Sequence, residues 1–181
     1  MLISHNEKLI PANFSGTIID IETIGPFESY PDDDSRRYNK ITPTIIGYIT
    51  KDELNIFCAK DLESLNELRD VALNIVPSFE KPLFAFQSKF ERSVLHHAYG
   101  IKLDIHGELN NRPREWKGYA CSDLSIPNYD DPFNNDGKLC VTAWVNGTHF
   151  QAIRHNRSCL LKERDILLKR SYRQPDELKL L

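Results

Sequence analysis

Two carboxylates stand two residues apart in a run of β-branched residues near the N-terminus. The run extends from Gly16 to Thr23, and its acids are Asp20 and Glu22. Successive side chains of a strand point to opposite faces, so both carboxylates would lie on the same face. Two like charges this close are unfavourable unless a cation lies between them, and a divalent cation with oxygen ligands satisfies that need. The pattern indicates half of a metal site, with a strand-end acid and a solvated edge residue as the alternative.

The composition is that of one globular domain, and we expect a single domain over residues 1–181. The chain is 40% hydrophobic and 27% charged, with a formal net charge of -3. A polyanionic partner would therefore need a local basic patch or a bound metal ion. The cysteines form no C-x-x-C pair, which favours reduced thiols. No signal-type N-terminus or long apolar stretch is present, so we predict a cytoplasmic protein without a membrane span.

The elements that must position the acids follow from hydrophobic periodicity. Two β-rich segments, 41–50 and 54–60, predict a hairpin after the first strand. Helical spacing extends from Asp61, which we interpret as an N-cap, to residue 77. A short apolar strand at 82–87 then precedes a helix that begins at Ser88 and is closed by a glycine. This order predicts an α/β fold.

Residues from about 102 to 136 are predicted to form one short strand followed by an elaborated loop. Cations alternate with aromatic residues there, as on surfaces that bind single-stranded nucleic acid through phosphates and stacked bases. The candidate nucleic-acid-binding residues are Arg112, Arg114, Trp116 and Lys117, with Tyr119 beside them. The alternative is a solvated loop that Trp116 anchors in the core. A long helix over about 149–170, with apolar residues at heptad spacing, and a tail after about 172 complete the chain.

The order of elements and three motifs resemble the DEDD (DnaQ-like) exonuclease superfamily, in particular its branch of predicted nucleases with a Tyr-type third motif. Asp20 and Glu22 match the first motif, Phe90-Glu91 lies at the second, and the segment from His155 to Cys159 lies at the third. The resemblance implies a ribonuclease H-like fold, with a mixed sheet of about five strands flanked by helices. It also implies 3′-to-5′ phosphodiester cleavage in which four acids hold two divalent cations, Mg²⁺ or Mn²⁺.

The second and third motifs differ from the family pattern. Glu91 takes the place of an aspartate, and Ser88 and Glu91 also have the spacing of a helix capping box. His155 takes the place of the tyrosine, and could act as general base or lie as a polar residue at a cleft edge. Cys159 replaces the metal-binding aspartate, and a thiol is a poor ligand for magnesium. Glu163 lies one helical turn further on, where it would substitute only if the helix end shifted.

Two functions are consistent with this sequence. The first is a metal-dependent 3′-to-5′ exonuclease acting on single-stranded ends of DNA or RNA. Its metal ligands would be Asp20, Glu22 and Glu91, and its catalytic base would be His155. The second is a catalytically degenerate nuclease fold that binds nucleic acid or a protein partner. The intact pair of acids favours the first function, and Cys159 favours the second.

Overall fold

The strand that carries Asp20 and Glu22 lies inside a mixed sheet of six strands. The computed structural model describes all residues, 1–181. The strands are β1 (Leu2–Lys8), β2 (Thr17–Ile24), β3 (Thr42–Ile49), β4 (Glu53–Ala59), β5 (Leu83–Ala85) and β6 (Gly107–Glu108). Their order in the sheet is β1-β4-β3-β2-β5-β6. β2 pairs antiparallel with β3 and parallel with β5. The predicted α/β class is therefore confirmed.

The hairpin of β3 and β4 is confirmed, and β1 is the strand that the sequence did not predict. β3 and β4 pair antiparallel, and β1 pairs antiparallel with β4 at the edge of the sheet. β1 contains serine, histidine, asparagine, glutamate and lysine, and none of its residues is fully buried. Because such an edge strand has little β-propensity of its own, its pairing with β4 determines its conformation.

Helices flank the sheet, and the longest was predicted correctly. The helices are α1 (Leu65–Ile75), α2 (Ser88–Tyr99), α3 (Lys117–Asp123), α4 (Gly137–Val145) and α5 (His149–Arg170), with short 3-10 turns at Ser35–Tyr38 and Val76–Ser78. α5 packs against β2, β3 and β4 and buries the heptad-spaced Ile153, Leu160 and Leu167. None of the helices combines the length and the apolarity needed to span a membrane.

The starts of two helices show how local hydrogen bonds set the boundaries. α1 begins at Leu65 rather than directly after Asp61. The Asp61 carboxylate instead accepts a hydrogen bond from the Ser64 backbone N–H in a preceding turn, at 2.9 Å. α2 begins at Ser88 as predicted, and Gly100 follows it in the left-handed region with φ of 71°. A glycine adopts this conformation without the steric cost that other residues incur.

The segment from 102 to 136 contains more regular structure than the sequence predicted. β6 is the expected short strand, and α3 is a helix that we did not predict. The tail after residue 172 is hydrogen-bonded along its length to the rest of the molecule. Arg173 Nε donates to the Asn110 carbonyl at 2.8 Å, and the Leu181 N–H donates to Ser35 Oγ at 3.0 Å. The tail is therefore held by hydrogen bonds to residues that are distant from it in sequence.

Candidate active-site cleft

The acids singled out from the sequence line one cleft of about 340 Å³. Asp20 and Glu22 come from β2, Glu91 from the first turn of α2, and His155 and Cys159 from α5. Alternation along β2 turns both of its acids toward the cleft. α2 begins next to the cleft, and a helix N-terminus favours a negative charge such as Glu91. The structure thus brings together all five residues predicted from the three motifs.

Asp20 is buried and is fixed by two side chains. Asn156 Nδ2 donates to Asp20 Oδ2 at 2.7 Å and to its backbone carbonyl at 3.2 Å. Lys117 Nζ donates to Asp20 Oδ1 at 3.0 Å. Asn156 reaches Asp20 across Gly47 of β3, where an added Cβ would lie 2.0 Å from Asn156 Oδ1. A side chain at position 47 would therefore displace the asparagine that orients Asp20.

Lys117 lies in the cleft and not on the outer surface of the loop. Its side chain is only 15% exposed, and its ammonium also pairs with Glu163 Oε1 at 2.5 Å. Burial alone would lower the pKa of Lys117, but the negative charges of Asp20 and Glu163 raise it well above its ordinary value. Lys117 is therefore a positive charge that neutralises acids inside the cleft. Lys117 therefore does not lie on the solvated surface of the loop, and its contact with nucleic acid stays a prediction.

Glu163 belongs to the acid cluster, whereas the sequence analysis considered it only as a substitute that would need a shift of the helix end. It is fully buried on α5, and its Oε2 has no hydrogen-bond partner. Burial raises the pKa of Glu163 well above its ordinary value, and the charge of Lys117 opposes this effect. The available signal was its position one turn after Cys159 on the same helix. How α5 crosses the sheet decides that Glu163 meets Lys117 beside the cleft.

Glu91 also points into the cleft, and the alternative capping box is not formed. Ser88 Oγ donates instead to Glu108 Oε2 at 3.0 Å, and no side chain caps the start of α2. Glu91 is buried, and its Oε2 has no hydrogen-bond partner. Burial, together with the charges of Asp20 and Glu163, raises the pKa of Glu91 well above its ordinary value. Glu91 is thus part of the acid cluster.

His155 is held by a buried carboxylate that the sequence did not indicate. Its Nδ1 lies 2.7 Å from Asp131 Oδ1, and Lys162 Nζ donates to Asp131 Oδ2 at 2.7 Å. Burial opposes the charged form of Asp131, yet the hydrogen bonds from His155 and Lys162 lower the pKa of this carboxyl. Burial opposes the charge of His155 as well, but nearby Cys159, Glu22 and Asp131 raise its pKa. General-base action by His155 stays a prediction, and it requires the neutral imidazole.

Glu22 is the half-buried acid of the cleft and faces the second edge of His155. His155 Nε2 lies 3.7 Å from Glu22 Oε1 and 3.7 Å from Cys159 Sγ. Burial raises the pKa of Glu22 to about 7, Asp20 adds to the rise, and His155 opposes it. One ligand atom from each of Glu22, His155 and Cys159 can be chosen so that all three lie within 4.8 Å of one another. This group offers oxygen, nitrogen and sulfur donors.

The remaining candidates for nucleic-acid binding lie near the mouth of the cleft or outside it. Trp116 lines the cleft, is 49% exposed, and stacks edge-on against Tyr119 at 5.1 Å between ring centroids. It is not a core anchor, so that alternative is wrong. Arg114 forms an ion pair with Asp32, and Arg112 is exposed. Nucleic-acid contacts by these residues stay a prediction.

The cleft and its buried side contain more acids than cations. Asp20, Glu22 and Glu91 line the cleft and Glu163 lies beside them, and the cationic side chains that contact these acids are those of Lys117 and His155. His155 also shares its charge with Asp131. A bound divalent cation would favour the ionised form of these buried carboxyls, and their oxygens without partners could bind it. The chain matches no family model, and comparisons with curated proteins and with solved structures likewise found no match.

Proposed function

We propose that the protein is a metal-dependent phosphodiesterase that removes nucleotides from the 3′ end of single-stranded DNA or RNA. The observation that carries the proposal is a cluster of four acids. Three of them, Asp20, Glu22 and Glu91, line one cleft, and buried Glu163 is joined to Asp20 through Lys117. Glu91 and Glu163 each have a buried oxygen without a hydrogen-bond partner. Buried carboxylates repel one another, and divalent cations with oxygen ligands offset that repulsion. Phosphodiester cleavage is the chemistry for which such clusters of acids hold cations.

The fold supports the resemblance on which the proposal draws. The Asp20–Glu22 pair lies on an inner strand of a mixed sheet, and helices α2 and α5 supply the other cleft residues. We therefore include a ribonuclease H-like fold in the proposal. The four cysteines are free thiols, which supports a reducing, cytoplasmic location.

The residues have distinct roles in this proposal. Asp20, Glu22 and Glu91 hold Mg²⁺ or Mn²⁺. Glu163 supplies the fourth acid, because Cys159 replaces the aspartate of the third motif. When bound, the cation activates the attacking water and stabilises the leaving oxygen. His155 orients the Glu22 side of the cleft through its contact with that carboxylate. 

The mouth of the cleft supplies the contacts that a strand end needs. Trp116 presents an exposed aromatic face on which a terminal base can stack. Arg112 and Arg114 lie nearby in sequence and provide positive charge for phosphates. These contacts are independent of base sequence, because stacking and phosphate pairing do not read base edges.

A non-catalytic nucleic-acid or protein-binding module is the second candidate function. The observation that favours it is the pairing of Lys117 with Asp20 and Glu163. An ammonium that already neutralises these two carboxylates reduces their demand for a metal ion. In this case the cleft would bind a strand end without cleaving it.

The test is degradation of end-labelled single-stranded DNA and RNA with Mg²⁺ or Mn²⁺. We expect shortening from the 3′ end by the wild-type protein and none by Asp20→Ala. Asp123→Asn, which alters an exposed acid of α3, is the matched control and should retain activity. Equal cleavage by the wild type and Asp20→Ala would contradict the proposal. Strand binding without cleavage, under either metal ion, would establish the second candidate.

A further inference from the structure

A second group of ligand atoms lies beside the acid cluster and has a different chemical character. Glu22 Oε1 and Cys159 Sγ each lie 3.7 Å from His155 Nε2. Cys159 and His155 are buried, and all three residues line the cleft. We infer that Glu22, His155 and Cys159 form a mononuclear site for a zinc-type transition-metal ion, with one coordination position open to the cleft.

The distances match those that a tetrahedral ion imposes on its ligands. Zinc binds nitrogen and oxygen at about 2.1 Å and sulfur at about 2.3 Å. Tetrahedral angles then place nitrogen and oxygen ligands about 3.4 Å apart, and nitrogen and sulfur ligands about 3.6 Å apart. Both observed separations from His155 Nε2 are 3.7 Å. The third separation, between the Glu22 oxygen and Cys159 Sγ, is at most 4.8 Å, so the Glu22 carboxylate and the thiol must approach each other when the ion binds.

The other edge of His155 has the partner that metal-binding histidines need. Asp131 Oδ1 lies 2.7 Å from Nδ1, which directs Nε2 toward Glu22 and Cys159. Asp131 is itself fixed by Lys162 and by the backbone N–H groups of Phe133 and Asn135. A carboxylate in this position sets the ring orientation and the tautomer of a metal-binding histidine. The site therefore has its supporting hydrogen bonds in place.

The donor set selects against magnesium at this position. Magnesium prefers octahedral oxygen ligands, whereas one oxygen, one nitrogen and one sulfur suit zinc or cobalt. Lys117 forms its ion pairs with Asp20 and Glu163 and with none of these three donors. Burial raises the pKa of Cys159, but the positive charge of Lys117 opposes this rise and so favours the thiolate that a metal ion binds. The cleft would then hold one transition-metal ion at Glu22, and the ammonium of Lys117 at Asp20. We expect a stoichiometry of one ion per chain.

The zinc-type site shares Glu22 with the proposed magnesium site, so the two ions compete for this carboxylate, and the catalytic consequence of zinc binding rests on the proposed function. On binding, the thiol proton of Cys159 and the Nε2 proton of His155 pass to solvent, so that both become ligands. A single ion with an open position would polarise a phosphodiester oxygen in the cleft. The acids around Lys117 would then serve the electrostatics of the site and not a second metal ion.

The test is titration of chelator-treated protein with Zn²⁺ and with Co²⁺, which serves as a spectroscopic substitute. Elemental analysis should give one Zn²⁺ per chain after dialysis. Co²⁺ should give visible bands of tetrahedral coordination and a near-ultraviolet thiolate-to-cobalt charge-transfer band. Cys159→Ala should abolish the charge-transfer band, and Glu22→Gln should weaken Co²⁺ binding while retaining it. Cys58→Ala, which removes a buried thiol on β4, should change neither result.

Two further variants make the assignment specific. Cys140→Ala removes the thiol beside Glu22 that lies outside the three-donor group, and should leave the charge-transfer band intact. Cys159→Asp should remove that band and shift the preference toward Mn²⁺, because a carboxylate replaces the sulfur donor. Circular dichroism verifies that each variant is folded, and Glu22→Gln tests the site independently if the buried Cys159 variants unfold.

Three results would overturn the inference. In the first, the wild-type protein retains no Zn²⁺ and shows no charge-transfer band with Co²⁺. In the second, the charge-transfer band persists in Cys159→Ala. In the third, elemental analysis gives two ions per chain. The outcome is separable from that of the proposed function. One bound Zn²⁺ without strand cleavage under any metal ion supports this site and refutes the nuclease proposal. If the wild type binds no Zn²⁺ and both it and Cys159→Ala cleave with Mg²⁺, the nuclease proposal is supported and this zinc-type site is refuted.

Discussion

Replacement of Lys117 by methionine tests whether its ammonium neutralises the buried acids. Methionine has a similar length and no charge, so Lys117→Met removes the ion pairs and leaves most of the packing. The lysine side chain is 15% exposed, that of Asp20 10% and that of Glu163 0%. Removing one partner from a buried ion pair leaves an uncompensated charge and costs about 3–5 kcal/mol. For a chain of this length the melting temperature falls by about 2–4 °C per kcal/mol, so roughly 6–20 °C is expected.

The loss should depend on pH, and its sign follows from Glu163. Burial already holds the pKa of this carboxyl well above its ordinary value of 4.5, and Lys117 opposes that rise. Without Lys117 the pKa of folded Glu163 rises further, so the folded state binds a proton that the unfolded state does not. The free energy of unfolding then decreases as pH rises, by about 1.4 kcal/mol per pH unit for one proton. The Lys117→Met variant is therefore expected to be more stable at pH 5.5 than at pH 8.

The measurement is urea unfolding, followed by circular dichroism, at both pH values in the presence of a chelator. Lys169→Met is the matched control: Lys169 is an exposed lysine of α5 that donates only to backbone carbonyls, so its loss should cost less than about 0.5 kcal/mol. Adding Glu163→Gln to Lys117→Met should recover part of the lost stability, because the unpaired charge is removed. A Lys117→Met variant within about 1 kcal/mol of the wild type at pH 8 would refute this account.

Three other changes have defined outcomes. Gly47→Ala should lower the free energy of unfolding by about 1–3 kcal/mol, because the added Cβ would clash with Asn156. The measurement is urea unfolding, and an unchanged midpoint would show that the asparagine moves freely. Trp144→Phe should cost about 1–3 kcal/mol in the same assay, because it leaves a buried backbone carbonyl of β4 without its donor at 2.5 Å. The double variant Arg112→Ala, Arg114→Ala should bind single strands with a weaker salt dependence. The slope of log affinity against log salt concentration, measured by fluorescence anisotropy, should decrease by up to about 1.4. An unchanged slope would exclude both residues from phosphate contacts.

The periodicity of the sequence was sufficient to predict the elements that carry the motif residues. β2 places Asp20 and Glu22 on one face because a strand alternates with a period of two, whatever packs against it. α5 is long enough for its pattern to be unambiguous, and its bounds agree with the prediction. The approach of Glu91 to these acids was predicted from a motif, and the structure has it in the same cleft. The strand and helix predictions depend on spacing within one element, whereas the approach of Glu91 was predicted only from the resemblance.

The loop residues show where local information ends. Lys117 follows Trp116 in a polar segment, and a lysine in such a segment has the same local sequence whether it is solvated or paired inside a cleft. α3 turns it toward Asp20, which lies 97 residues earlier in the chain. Asp131 likewise looks in sequence like any acid of a loop, and only the fold brings it against His155 of α5. The pairing energy of such charges depends on their distance and burial, and neither is encoded near them in sequence.

Glu163 and Cys159 mark the boundary between what the sequence and the tertiary structure decide. The sequence determined that both residues lie on the same face of one helix, about 6 Å apart along its axis. It could not determine which of them meets the acids of β2, because this depends on the position of α5 along the sheet. The packing of α5 on β2 and β3, with Gly47 giving room for Asn156, places Cys159 in the cleft and Glu163 against Lys117 beside it. Helix position is set by the sum of many packing contacts, and a shift of one turn would exchange one ligand for the other.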